Sequence, residues 1–317
     1  MAGTGVKQGG GPGRGPGRGP GWIVWAWVVA VVLSGAYTAW WFVLAREIEQ
    51  RAAAALDGRA SWAELSVTGW PYRLTVAATS LTAPLPGGGQ LSADRFAVTT
   101  TPFNLRLWVL DQAEGLRVRI GDGPARRVEA RLLAGSVRVR GDGGLERFSV
   151  QAGGLSAAAN GPDDRGWDLD RGELHLVHDP RSPERFAFMA DLKQLRLTQS
   201  LAGPGAILGD TITHARVAGP LNEAEALIQS VERWQATGGR FQLMAGELLW
   251  GPLSFSELTG MIGLDAQGRA EGEIAGVGAL RPEGVQVDAL SAPVSARLRG
   301  GSLEVFGLSI GLVPALR

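Results

Sequence analysis

A mainly β protein behind one apolar helix is the fold class this sequence predicts. Three observations carry it: an uncharged run of 24 residues, Trp22–Ala45; glycine-bounded runs of period-two alternation over most of the remaining chain; and one segment, 221–236, with apolar residues at helical spacing. The expected plan is a transmembrane helix, then curved antiparallel β-sheet with one amphipathic helix near 221–236. Its expected divisions are a disordered cytoplasmic tail over 1–21, the span over 22–45, a membrane-proximal helix over 46–60 and an exported β-rich domain over 61–317.

The tail carries the repeat Gly-Pro-Gly-Arg-Gly-Pro-Gly-Arg-Gly-Pro over 11–20, which has nothing with which to build a core. The uncharged run behind it reaches about 36 Å as a helix, enough to cross a hydrocarbon layer of about 30 Å. Trp22, Trp25 and Trp27 mark one end and Trp40 and Trp41 the other, where aromatic rings favour the headgroup interface. A cleaved secretory signal is the competing reading. Its apolar core is shorter, and Trp40-Trp41-Phe42 is too bulky for a cleavage site, although Ala52 to Ala55 offers small residues. Lys7, Arg14 and Arg18 precede the run with no acid among them, whereas Arg46, Glu47, Glu49 and Arg51 come after it. The positive-inside bias therefore predicts a cytoplasmic N-terminus and an exported bulk. Arg46 to Leu56 is rich in alanine and glutamate and continues the helix to a stop near Gly58.

From Trp62 onward, Leu116–Ile120 and Val137–Arg140 alternate apolar with polar residues and read as strands with one wet face. Further strands are expected at Arg185–Leu192, Gln194–Thr198, Arg240–Leu248, Leu258–Leu264, Ala270–Ile274 and Leu303–Ile310, with turns at Gly121-Asp122-Gly123, 141–144 and 265–268. Residues 201–219 read as a long connection. In the helical segment, Ala224, Leu227, Ile228, Val231 and Trp234 share a face, Asn222 with Glu225 resembles a capping box, and Gly238 closes the end.

Composition removes several kinds of chemistry. There is no cysteine, hence no disulfide, thiolate nucleophile or cysteine-held metal. No basic patch interleaves with aromatics, so nucleic acid is not an expected partner. His-Glu-x-x-His, Gly-x-x-x-x-Gly-Lys and Gly-x-Ser-x-Gly do not occur. His175 and His178 invite a metal reading, but three apart on a strand they face opposite ways. Asp163, Asp164, Asp168 and Asp170 could frame a calcium loop, though the spacing is not that of an EF-hand and solvated turn residues explain them as well. No catalytic residue, cofactor or metal is expected, and the chain reads as a non-enzyme.

The most distinctive string is Gly69-Trp70-Pro71-Tyr72-Arg73. Glycine and proline fix a sharp entry into a strand, the aromatics can pack on either side of the turn, and Arg73 can bond carbonyls or a carboxylate. It reads as a packing device, or as a latch where the exported domain leaves the membrane-proximal helix. On this string the chain resembles a family of uncharacterised alphaproteobacterial envelope proteins built as membrane anchor, Gly-aromatic-Pro-aromatic-Arg motif and long β-rich domain. The similarity continues in Leu249-Trp250-Gly251-Pro252-Leu253, Gly260-Met261-Ile262-Gly263-Leu264-Asp265 and Gly268-Arg269-Ala270-Glu271-Gly272. The resemblance implies location and architecture and brings no catalytic residue. In plan the chain is also similar to anchored periplasmic proteins of the AsmA-like type, an analogy that implies lipid handling by a curved apolar sheet. The expected role is thus an inner-membrane-anchored periplasmic protein that binds lipid or lipoprotein in an apolar groove; the alternative is an envelope scaffold or protein-interaction domain with a closed core.

Overall fold

The computed structural model describes residues 21–85, 89–119, 123–159, 166–182, 184–197, 210–280, 290–300, 302–305 and 308–312. Residues 1–20 of the expected cytoplasmic tail, Gly121-Asp122, Asp163-Asp164, Thr198 and the first part of the 201–219 connection lie outside them.

An apolar run followed by an alanine- and glutamate-rich stretch, with no proline in either, gives one unbroken helix, α1 (Gly21–Leu56), which ends ahead of Gly58 at φ 69°. Seventeen strands come after it among the described residues, all in one antiparallel sheet. The first half comprises β1 (Glu64–Thr68), β2 (Leu74–Leu85), β3 (Gly89–Thr101), β4 (Asn104–Glu114), β5 (Arg117–Arg119), β6 (Arg126–Val139), β7 (Leu145–Ala157), β8 (Trp167–His178) and β9 (Arg185–Leu197). The second comprises β10 (Thr211–Asn222), β11 (Phe241–Leu243), β12 (Ala245–Trp250), β13 (Leu253–Leu264), β14 (Ala270–Leu280), β15 (Leu290–Arg299), β16 (Ser302–Val305) and β17 (Leu308–Leu312). The register pairs run from β1 to β17 in chain order, so the sheet is a meander. Its two irregularities are that β4 and β5 share one place between β3 and β6, and β11 and β12 share one between β10 and β13.

Several sequence expectations change in detail. Arg185–Leu192 and Gln194–Thr198 are one strand, because Gln194 takes φ 53° and kinks the chain without ending its pairing. Arg240–Leu248 is instead broken at Met244 into β11 and β12, and Leu303–Ile310 into β16 and β17. The expected connection over 201–219 holds strand β10 from Thr211 onward. The single helix over 221–236 is two short ones, α2 (Ala224–Gln229) and α3 (Val231–Ala236), parted at Ser230, whose hydroxyl accepts from the Arg233 N–H. Asn222 closes β10 and caps nothing; the residue ahead of α2 is Glu223, at φ 55° and without a side-chain cap.

Strict alternation also fails, in an ordered way. In β8 Leu169 and Gly172 are both buried, with Asp170 and Arg171 exposed between them, and a methyl added at Gly172 would meet the Leu169 side chain at 3.0 Å. Two residues three apart thus share a face, so the pleat inverts between them. Pairing lapses at the same row in neighbouring strands: Arg131, Gly154, Asp170, Gln194 and Thr213 are skipped while the flanking register is kept. Ser80 and Asp94 form the corresponding row in β2 and β3. Gly154 and Ser80, like Gln194, have positive φ. Because adjacent strands invert together, the register survives and one face stays apolar from end to end.

At the β13–β14 turn, Asp265 accepts from the backbone N–H groups of Gln267 and Arg269 and from the Arg269 guanidinium, each at 2.9 Å. These bonds, that from the Arg269 N–H foremost, hold its carboxyl below the usual carboxylate range. A lowered folded-state value stabilises above the ordinary pKa and ceases to as pH falls through the lowered one. Asp265→Ala is therefore expected to melt below the parent at neutral pH, with the gap closing on acidification; a gap unchanged into strong acid would show that the charge contributes nothing.

Candidate functional site

The apolar face is the feature that sequence and fold build together. In β9 it presents Phe186, Phe188, Ala190 and Leu192, then, past the kink, Leu195 and Leu197; in β8, Leu176, Leu174 and Gly172, then Leu169 and Trp167. The opposite face carries Arg171, Glu173 and His175 on β8 and Asp191 and Lys193 on β9.

Two helical elements cover parts of this face. The second half of α1 lays Trp41, Ala45 and Ile48 on Leu74 and Val76, with Leu65, Val67, Val98 and Trp108 around them. At the same end of the strands, farther along the sheet, α2 and α3 lay Ala224, Ala226 and Trp234 against Leu176, Phe186 and Leu221, flanked by Phe148, Phe188, Phe241 and Leu264. The indole N–H of Trp234 donates to the Asn222 carbonyl at 2.7 Å, so its one polar atom is satisfied in a buried setting. Toward the opposite strand ends a cavity of about 300 Å³ opens, lined by Val118, Pro124, Arg126, Val128, Ala157 and Trp167. A larger concavity, about 1170 Å³, lies on β11 to β15, with Gln242, Met261, Glu273 and Arg297 among the residues that line it.

The Gly-Trp-Pro-Tyr-Arg string joins α1 to the sheet through its backbone. Gly69, at φ 104°, accepts from the Arg73 N–H, and the Trp70–Pro71 peptide is cis. The Tyr37 hydroxyl donates to the Pro71 carbonyl, and the Trp41 indole donates to the Arg73 carbonyl at 3.2 Å. Trp70 and Tyr72 do not pack on either side of the turn; both are exposed, Tyr72 at 77%. Phe103, in the next turn on this end of the sheet, stacks on Tyr37 and Trp40 at centroid distances of 6.2 and 6.1 Å. Of the tryptophans read as interfacial, Trp25 and Trp27 are exposed, Trp40 is half-exposed beside Phe103, and Trp41 is buried under the sheet at 3%. Trp22 lies in the first turn of α1, but its side chain is outside the described residues. Tyr37 and Phe103 are partners that sequence reasoning missed, since nothing local marks two aromatics 66 positions apart as neighbours.

The polar candidates separate. His175 lies 3.0 Å from the Ser149 hydroxyl and 3.6 Å from Glu173, on the polar face, whereas His178 meets the Phe186 ring edge-on. His214 lies 3.3 Å from Asp191 and 3.9 Å from Glu247. Asp168 and Asp170 are strand residues of β8 and not part of a turn, and Asp170 pairs with Arg131 at 3.1 Å. Among the described residues, no three histidine or carboxylate side chains converge as a metal site requires.

In comparison with known families, residues 41–296 match the model described as uncharacterized protein conserved in bacteria (DUF2125). No curated protein and no solved structure matches the chain.

Proposed function

The chain belongs to DUF2125, a bacterial family whose description names no activity, and from that premise we propose that it is a non-enzymatic protein of the cell envelope that holds lipid on its apolar sheet face. α1 is long and apolar enough to cross a membrane and is compatible with anchoring. In this reading it is a retained single-pass anchor in the inner membrane, the N-terminus is cytoplasmic under the positive-inside bias, and the sheet stands in the periplasm. The Gly-Trp-Pro-Tyr-Arg latch and the alphaproteobacterial resemblance belong to the same proposal.

The observation that carries it is the row of pleat inversions. Positive φ costs a non-glycine residue on the order of 1 kcal/mol, and Ser80 and Gln194 both adopt it. What those kinks secure is an apolar face continuous along the whole strand length, only part of which α1, α2 and α3 cover. An apolar surface running beneath and beyond its covers suits an elongated apolar ligand such as a lipid acyl chain better than a compact polar substrate.

Site-specific photo-crosslinking in bacteria tests this. A photoreactive phenylalanine analogue replaces Leu155 or Val150 on the apolar face, and Lys193 on the polar face as control. Phospholipid adducts at 155 and 150 but not at 193 are expected. Protein adducts alone at 155 and 150 would favour the scaffold reading, and no adduct at either position would overturn the lipid reading.

A further inference from the structure

We infer that the sheet does not stand clear of the membrane: the β1–β2 and β3–β4 hairpin tips dip into the leaflet that α1 crosses last, so that the sheet is seated in phospholipid. This rests on the reading of α1 as a membrane span. The length of α1 requires it. Among the described side chains, the stretch of helix exposed on all sides is 24–36, and from Tyr37 onward the sheet leans on it. Counted generously from Trp22, the free stretch reaches about 22 Å, whereas the hydrocarbon layer is about 30 Å thick. The missing thickness, about 8 Å, must be spanned by the very turns of helix to which the hairpins are docked.

The chemistry of the tips agrees. Trp70, Tyr72 and Phe103 are exposed, the last at 76%, on an end of the sheet where the aromatic rings of Tyr37 and Trp40 already lie. Above Phe103, Leu105 and Leu107 are also exposed, on the face of β4 away from the core. The two segments 69–73 and 101–107 carry Arg73 and Arg106 and no acid. Exposed aromatics and leucines with arginine beside them form the composition of a bilayer interface, with rings at headgroup level and guanidinium groups within reach of phosphate. The bilayer, and not a soluble partner, is the occupant this patch fits, because the helix that carries half of it is the one that crosses.

The chain has no cysteine, so single labels can be placed at will. Full-length protein bearing an environment-sensitive fluorophore at Val29→Cys, Tyr72→Cys, Phe103→Cys or Ala158→Cys is reconstituted in vesicles of phosphatidylethanolamine and phosphatidylglycerol. Quenching by acyl-chain nitroxides is then measured. Val29 lies in the free stretch of α1, and Ala158 comes just after β7 at the far end of the sheet. The expected result is loss of fluorescence at 29, 72 and 103 and none at 158. Quenching at 29 with none at 72 and 103 would overturn the seated sheet while leaving the anchor intact. No quenching at 29 would remove the anchor reading itself.

Discussion

Trp41→Ala is expected to cost about 3–5 kcal/mol, the range for truncating a large buried aromatic, and to free the sheet from its helix. The indole is 97% removed from solvent, fills the space between α1 and Leu74, and donates to the Arg73 carbonyl. Its loss leaves a cavity and an unpartnered carbonyl together. Denaturant unfolding of the detergent-solubilised chain measures the loss, and limited proteolysis of the 57–63 segment should accelerate. A cost near or below about 1 kcal/mol, the level of a surface substitution, would mean that α1 is not docked as described. Trp41→Phe, which keeps the ring but not the donor, should lose only about 1 kcal/mol beyond the volume difference.

Trp234→Ala should be comparably severe, about 3–5 kcal/mol, but at the other cover. α2 and α3 are six residues each, far too short to persist alone, so packing alone holds them in place. Trp234 is the largest side chain in that packing, and without it Phe186 and Leu221 lose their lid. Binding of a hydrophobic dye should rise in the variant while the β signal in far-ultraviolet circular dichroism persists. If the sheet unfolds together with the lid in a single transition, the pair of helices is part of the cooperative core and not a separable cover.

The sequence made the mainly β character legible because the strands alternate within their own halves, and it made the long apolar helix legible because 24 residues without a charge run together there. It also located the turns at 141–144 and 265–268, through Gly-Asp and Asp-x-x-Gly chemistry. What it hid was the junction of halves. In Phe186-Ala-Phe-Met-Ala-Asp-Leu192 and the adjoining Lys193-Gln194-Leu195, the period runs true, stumbles on two polar residues and resumes one position out of phase. Read locally this is the end of one strand and the start of another; only the same stumble at the matching row of the neighbours shows a single strand with an inverted pleat. The helix at 221–236 was legible as apolar spacing, but Ser230 offered its hydroxyl as a cap inside the run, and the segment takes that alternative. Of the candidate site, the tryptophan-proline turn was legible as special, while its partners Tyr37, Trp41 and Phe103 depend on tertiary approach.

The chain-order meander has a bearing on how such a sheet is made. Because every strand pairs with one that precedes it closely in the chain, ordering proceeds by short loop closures and each new hairpin finds a finished template. A chain delivered N-terminus first can then condense as it emerges, with α1 and β1–β4 as the seed, and never needs to hold a long unpaired segment in reserve for a distant partner.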